Sequence, residues 1–496
     1  MEITEAPALR RWPAVAVPAW VTAQLVWLVP AIATGLVVGY QVARPEPWRD
    51  EFASWSAATR TVPQIVALGK HIDGVLVPYY LFLHFWIRLF GDSVPAMRAP
   101  SLLATVALAA VVAILARRFW GPAAGLLAGL LTAVLPVVSR YGQEVRGYAF
   151  AALFAALATL ALAAALERPR WWRWVAYAPC VLLTGLSHLL SLLVLAGHAI
   201  AVLVLAVHER RRRALWWLPA AAAGAGGVLW LTRAGLGQHN AQLNWLSAAD
   251  PKDLTDVPEL LFISPIIGGA VFALALFALR RGQPTPAVVR GALLGLTALL
   301  PIALLFAYDQ VVAPIFVGRY LLFVVPLLSV LAGAGLRALP LPVGLVAVLV
   351  LGVIGEPLQA DLRREHSPFD YRAAAAVIVA NEQPGDGIIY APRGGWQLVD
   401  TGLEYYLRDR APRDVLLARD ETQDASLWAT ECADPAACLK GVTRVWVVAG
   451  DNLSPAFRAT ATNQLGDATR AALKAYATRR GWRVGGLTIT LLVARP

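Results

Sequence analysis

Apolar residues gather into eleven long runs, at 19–40, 95–116, 121–138, 147–166, 174–188, 190–207, 215–232, 259–279, 289–308, 320–337 and 341–356. About 20 apolar residues in helical conformation cross the hydrocarbon core of a bilayer, so the pattern predicts a membrane domain of about eleven transmembrane helices. The fifth and last runs are the short ones. The segment 41–94 reads differently. Phe52, Trp55, Ile65 and Leu68 recur at helical spacing over 52–69, and Leu81, Phe82, Phe85, Trp86 and Leu89 do so over 76–90. Two helices lying in the interface plane are expected there.

Beyond residue 360 the pattern shortens and turn signals multiply, as at Pro384-Gly385-Asp386-Gly387 and Arg393-Gly394-Gly395. The order predicted is helix 371–382, strand 388–391, helix 399–409, strands 414–418 and 443–449, helix 455–480 and strand 482–494. That alternation belongs to a separate α/β domain over 361–496. Cys432 and Cys438 are close enough in sequence for a local bridge, with two free thiols as the alternative. Cys180 falls in an apolar run.

Composition sharpens the class. The chain of 496 residues is 58% hydrophobic and 15% charged, where soluble proteins carry about 25% charged residues. A cytosolic enzyme, a disordered chain and a disulfide scaffold built on 3 cysteines are excluded. Net charge is +11, of which +10 lies in residues 1–360 and +1 in 361–496. Charge so placed reads as membrane topology, and no nucleic-acid partner is expected.

With the N-terminus cytoplasmic, the inner loops carry fifteen arginines: Arg10, Arg11, Arg117, Arg118, Arg168, Arg170, Arg173, Arg210 to Arg213, Arg280, Arg281, Arg290 and Arg337. The short outer loops carry five basic residues, Arg140, Arg146, Arg233, Lys252 and Arg319. This bias predicts a multi-pass plasma-membrane protein, and an odd number of crossings puts the C-terminal domain outside. The first run is too long for a cleaved signal peptide and reads as a retained anchor.

Ionisable residues are nearly missing from the run centres, unlike the midplane sites of transporters. They collect at the outer ends of the runs: Asp50, Glu51, His71, Asp73, Tyr79 and Tyr80 in the first loop; Arg140, Gln143, Glu144, Arg146 and Tyr148 between the third and fourth runs; His188; and Arg319 with Tyr320. A site at the outer interface admits a lipid-borne substrate from the side and an aqueous one from above.

Several of these segments share an order with a known superfamily. Arg49-Asp50-Glu51-Phe52 directly after the first run, His71-Ile72-Asp73 followed by Pro78-Tyr79-Tyr80, Ser139–Tyr148, and Gly318-Arg319-Tyr320-Leu321 resemble the polyprenyl-phosphate-sugar-dependent glycosyltransferases of the GT-C fold. The nearest branch is that of the protein O-mannosyltransferases and the lipid A aminoarabinose transferase. The resemblance spans about residues 20–335, and the C-terminal domain carries no motif of the family. It implies an inverting transfer of a sugar from a polyprenyl-phosphate donor to an extracytoplasmic protein, glycan or lipid acceptor. Mannose is the first choice of sugar. Abundant Ala, Arg, Gly and Val with little Lys fits a GC-rich bacterial, actinobacterial-type genome.

Such a transfer needs a base for the acceptor hydroxyl and cations for the departing phosphate. Asp50 is the expected base, as the resemblance implies; a helix N-cap is its other reading. Glu51 stands beside it as a second catalytic candidate or a first-turn acid. Arg140, Arg146, Arg319 and Tyr320 are the candidates for phosphate, although Arg319 also suits snorkelling to headgroups. Tyr79, Tyr80, Gln143, Glu144 and Tyr148 are the candidates for substrate. Some relatives hold a divalent metal near the position of Asp73. A metal on His71, Asp73 and His188 and direct hydrogen bonding of the sugar by the same groups are both open. The rival functions are a flippase or transporter of lipid-linked sugars, an oligosaccharide ligase and a membrane scaffold.

Overall fold

The computed structural model describes residues 18–207, 212–243, 246–280, 285–450 and 465–496. Arg10, Arg11, Arg210, Arg211, Arg281 and the first half of the helix expected at 455–480 lie outside the described residues. All eleven apolar runs are helical. The order begins α1 (Ala19–Gly39), α2 (Arg49–Thr59), α3 (Val62–His71), α4 (Val77–Phe90), α5 (Val94–Trp120), α6 (Pro122–Val134), α7 (Pro136–Gly142), α8 (Tyr148–Glu167) and α9 (Trp171–Ser187). It continues with α10 (Val194–Val207), α11 (Trp217–Gly226), α12 (Leu229–Leu243), α13 (Val257–Phe262), α14 (Pro265–Phe277), α15 (Thr285–Val311), α16 (Val325–Leu336) and α17 (Leu341–Arg364).

Among the described residues, seven helices are long and apolar enough to cross a membrane, or nine if each bent pair is one span. The run expected at 121–138 is one such pair. It bends by 63° between α6 and α7, where Pro136 supplies no backbone donor and resists continuation of the preceding helix. Every residue of α16 is buried, so it forms the central post of the bundle. Glycine lets its neighbours come close. A Cβ on Gly333 would stand 2.4 Å from that of Ala128 in α6, and one on Gly335 would stand 2.0 Å from the Leu274 carbonyl oxygen in α14. Small residues bring helices together in this way where lipid supplies no hydrophobic drive. The outer faces of α1, α15 and α17 expose Leu36, Leu299 and Leu349.

The first loop holds three helices where two were expected. The break falls at Arg60-Thr61, where Gln64 Oε1 accepts the Thr61 backbone N–H at 2.9 Å and Pro63 sits in the first turn. That local cap restarts the helix.

The C-terminal domain contains α18 (Tyr371–Asn381), β1 (Gly387–Ala391), α19 (Val399–Leu407), β2 (Arg413–Asp414), β3 (Leu417–Arg419), β4 (Thr430–Glu431), β5 (Arg444–Gly450), α20 (Asp467–Leu473), β6 (Tyr476–Val484) and β7 (Leu487–Ala494). The main sheet runs β2-β1-β5-β7-β6, with β1 parallel to both its neighbours and the β5, β7, β6 side antiparallel. Three expectations need correction. Residues 476–480 are strand rather than helix, and the strand expected at 482–494 holds the end of β6, the turn and the whole of β7, so it is part of a hairpin. Gly485 and Gly486 have φ of 40° and 74° and make the tight turn that glycine allows. The strand expected at 414–418 divides between β2 and β3. Cys432 and Cys438 are disulfide-bonded.

The domain shares one core with the first loop, since Phe52, Trp55, Tyr371, Leu403 and Tyr405 pack in a common buried cluster. Beneath this cluster lies an ion pair with no exposure on either side chain. Arg98 of α5 donates from Nε and Nη2 to the two oxygens of Glu51, each at 2.8 Å. The same carboxylate accepts the backbone N–H of Trp48 at 3.1 Å and of Val145 at 3.2 Å, while Arg98 Nη1 donates to the carbonyls of Val42 and Pro45. Removing one partner strands a buried charge, at a cost of about 3–5 kcal/mol. Glu51→Gln should therefore lower the thermal unfolding midpoint sharply in purified, detergent-solubilised protein, and an unchanged midpoint would show that the pair does not hold this region together.

Candidate active site

The N-terminus of α2 puts consecutive acids to different uses. Trp48 is the N-cap residue, and the side chain of Glu51 closes its backbone N–H. Asp50, one position earlier and about 100° round the helix, lines a cavity of about 910 Å³ instead. Its carboxylate lies 3.5 Å from Arg146 Nη2 and 3.7 Å from Arg49 Nε. Capping thus falls to Glu51 rather than Asp50.

Arg146 reaches the cavity from the loop that follows α7. Its Nη1 donates to Ser54 Oγ and to the Tyr80 hydroxyl, both at 3.4 Å, and its Nε is buried without a partner. Tyr80 in turn donates to Asp73 Oδ2 at 2.6 Å. Burial raises the pKa of Asp73, with the charge of Arg146 opposing. Opposite, Arg319 lies with its guanidinium over the rings of Tyr320 and Trp48, at 5.5 and 6.0 Å. Tyr148, His188 and Tyr320 form an aromatic file along the wall, with ring centres 5.5 and 5.2 Å apart in succession.

The rest of the wall is apolar. Leu189, Leu190 and Leu193 come from the turn leading into α10, Leu236 from α12, and Leu304 and Leu305 from α15. Gly394, Gly395, Trp396 and Gln397 of the C-terminal domain close the remaining side. The cavity is therefore charged along one wall and greasy along another.

Of the residues expected at the site, the fold brings Asp50, Asp73, Arg146, Tyr148, His188, Arg319 and Tyr320 to the cavity. Others are moved out of it. Glu51 is consumed by Arg98. Gln143 Nε2 donates to the carbonyls of Val38 and Tyr40 and so closes the end of α1. Tyr79 is buried beside Phe82 and Phe150. Tyr80 acts through Asp73 and Arg146 from behind the wall. Glu144 accepts Trp48 Nε1–H at 3.1 Å, and burial pushes its carboxyl up to about 7. Arg140 stacks over the same indole at 5.2 Å. The metal set does not assemble: His71 is exposed at the end of α3 and does not line the cavity, Asp73 is bonded to Tyr80, and His188 packs between Tyr148 and Tyr320. Among the described residues, no group of three potential metal ligands converges.

Sequence reasoning missed Arg49, which the Arg-Asp-Glu run itself offered, and the loop 394–397, whose Gly-Gly-Trp signal was read only as a turn. It also missed Trp48 as a platform, since tryptophans near span ends read as membrane anchors.

Residues 76–232 match the family model described as dolichyl-phosphate-mannose-protein mannosyltransferase. No curated protein matches the chain by sequence. In structure it is similar to ArnT from Cupriavidus metallidurans bound to undecaprenyl phosphate, with a TM-score of 0.58, 14% identity, and 95% of this chain and 99% of that chain covered. The apo state of the same protein aligns with a TM-score of 0.57, 15% identity, and coverage of 96% and 100%. The Archaeoglobus fulgidus oligosaccharyltransferase tethered with an acceptor peptide aligns at 0.48, with 11% identity and coverage of 96% and 74%. The chain thus has, over nearly its whole length, the fold of these GT-C membrane proteins, and within it residues 76–232 carry the match to the mannosyltransferase family model.

Proposed function

We propose that this enzyme transfers mannose from a polyprenyl-phosphate carrier to an extracytoplasmic acceptor, with Asp50 as the base and Arg319 and Arg146 as the phosphate clamp. One observation carries the reading: a single cavity joins two carboxylates, three arginines and a leucine-lined wall. An amphipathic donor matches that division, its phosphate against the arginines and its prenyl chain along the leucines. Mannose follows the description of the matching family.

In the proposed reaction Asp50 takes the proton of the acceptor hydroxyl as its oxygen attacks the anomeric carbon. The bond from that carbon to the phosphate oxygen breaks on the opposite face, which inverts the centre. Polyprenyl phosphate leaves as a monoester anion and needs no general acid. Guanidinium forks suit its oxygens. Arg146, 3.5 Å from the Asp50 carboxylate, would share its charge between that group and the phosphate. A direct role for Tyr148 and Tyr320 in seating the sugar fits their place in the aromatic file.

Asp50→Asn keeps the shape of the side chain and removes its basicity. Turnover should fall by roughly 10² to 10⁴ while polyprenyl-phosphate binding persists, and near-normal turnover would transfer the role to another acid. Arg319→Lys should impair both donor binding and turnover, and Arg319→Ala more so, because interactions that strengthen on the leaving phosphate act on turnover too. Full activity of purified Arg319→Ala would leave Arg319 with headgroup anchoring alone. The N-terminus is proposed to be cytoplasmic and the C-terminal domain extracytoplasmic, on the arginine bias of the loops. A compartment-specific reporter fused after Pro496 should be active only outside the cytoplasm; activity inside would reverse the scheme.

A further inference from the structure

The wall formed by the C-terminal domain has its own chemistry. Gly394 has φ of 78° and is exposed, while Trp396 beside it is half-buried and meets Trp428 edge-on at 4.9 Å. Gln397 is 7% exposed, and its buried side-chain oxygen has no hydrogen-bond partner. A buried amide oxygen left unpaired carries its full desolvation penalty, so its place at the edge of a cavity points to a donor supplied from outside the chain. The loop is charge-free toward the cavity because Arg393 is spent elsewhere: its side chain is 5% exposed and pairs with Asp400, Asp414 and Glu431.

The loop is also held in place. Trp428 Nε1 donates to the Gly395 carbonyl at 3.1 Å, and the Tyr371 hydroxyl donates to the Gln397 carbonyl at 2.5 Å. Tyr371 packs edge-on against Phe52, two residues from Asp50, with ring centres 5.0 Å apart. A Cβ at Gly395 would stand 2.2 Å from Gln397 Oε1; the absence of a side chain there is what allows the amide its present position.

An indole and a neutral amide form the pair that recognises a sugar ring, whose C–H face lies on aromatic carbon and whose hydroxyls donate to an amide oxygen. A charged peptide would find no counter-charge on this loop, and a lipid chain no use for the amide. The geometry points to loop 394–397 as the acceptor subsite, holding a sugar ring of a glycan acceptor with its hydroxyl toward Asp50. The inference rests on the proposed transfer reaction in this cavity.

Saturation-transfer NMR on full-length protein in detergent tests it, with mannobiose and an arabinofuranose disaccharide as probes and a neutral serine- and threonine-containing hexapeptide as the rival ligand. Undecaprenyl-phosphate binding is measured on the same samples. Wild-type protein should transfer saturation to the ring protons of at least one disaccharide. Trp396→Ala should weaken that signal at least about fivefold, Trp396→Phe less so, and Gly395→Ala should weaken it by displacing the Gln397 amide. Trp171→Ala, at an exposed tryptophan on α9, should leave it unchanged. Carrier binding should survive in all four variants, which reports both correct folding and an intact donor wall. Sugar signal that persists in Trp396→Ala and Gly395→Ala, signal for neither disaccharide in wild type, or binding of the peptide through Trp396 would each overturn the inference. Undecaprenyl phosphate that fails to bind wild type would instead overturn the donor reading beneath it. A donor sugar as the true occupant of the loop would show as Trp396→Ala raising KM for the donor and not for the glycan, and that too would overturn it.

Discussion

The buried pair of Glu51 and Arg98 is the constraint from which the site geometry follows. Its four surrounding hydrogen bonds tie together the start of α2, the segment after α1, the helix α5 and the loop before α8. A desolvated ion pair tolerates little displacement, because the attraction that offsets desolvation depends on short, aligned contacts. Once Glu51 points inward, helix geometry turns Asp50 toward the cavity. The Val145 amide, held by Glu51, delivers Arg146 to the same place one residue later. Two groups 96 residues apart in sequence thereby meet as an ion pair.

The cavity joins two solvents. Charged groups are confined to the end near the C-terminal domain, where they pair with one another or lie over aromatic rings, and the helices deeper in the bundle contribute leucines. Placing arginines farther into the membrane domain would cost at least about 2.5–3.5 kcal/mol each. Trp48 serves this boundary as a packing surface for three arginines, Arg49, Arg140 and Arg319, with guanidinium groups 5.2 to 6.0 Å from its ring. Its N–H is taken by Glu144, which balances part of that charge from below.

The C-terminal domain belongs to the cavity wall as well as to the surface. Its aromatic residues Tyr371 and Tyr405 pack on Phe52 and Trp55 of α2, and Arg60 donates to the carbonyls of Glu421 and Ser426 across the boundary. Arg408 adds an ion pair with Asp92 at 2.7 Å. These contacts hold the loop over the cavity in fixed relation to Asp50, so the domain and the first loop act as one body.

The sequence by itself determined the membrane class, the eleven helical runs, the α/β character of residues 361–496, and the segments from which the candidate site is drawn. Those properties are written in hydropathy and local spacing, which depend on neighbours along the chain. Local signals also fixed features that were read too coarsely: the cap at Thr61 and Gln64 splits one expected helix, and Gly485-Gly486 folds an expected single strand into a hairpin. Tertiary structure alone decided which polar residues face the cavity. Asp50 and Glu51, Gln143 and Arg146, His71 and Asp73 are polar near neighbours, and sequence alone does not say which of each pair faces the cavity. Their roles part because a buried charge must find a partner wherever the packing supplies one, and Arg98, the end of α1 and Tyr80 lie far away in sequence or on another turn. The loop 394–397 became part of the site for the same reason, carried there by the packing of Tyr371 on Phe52.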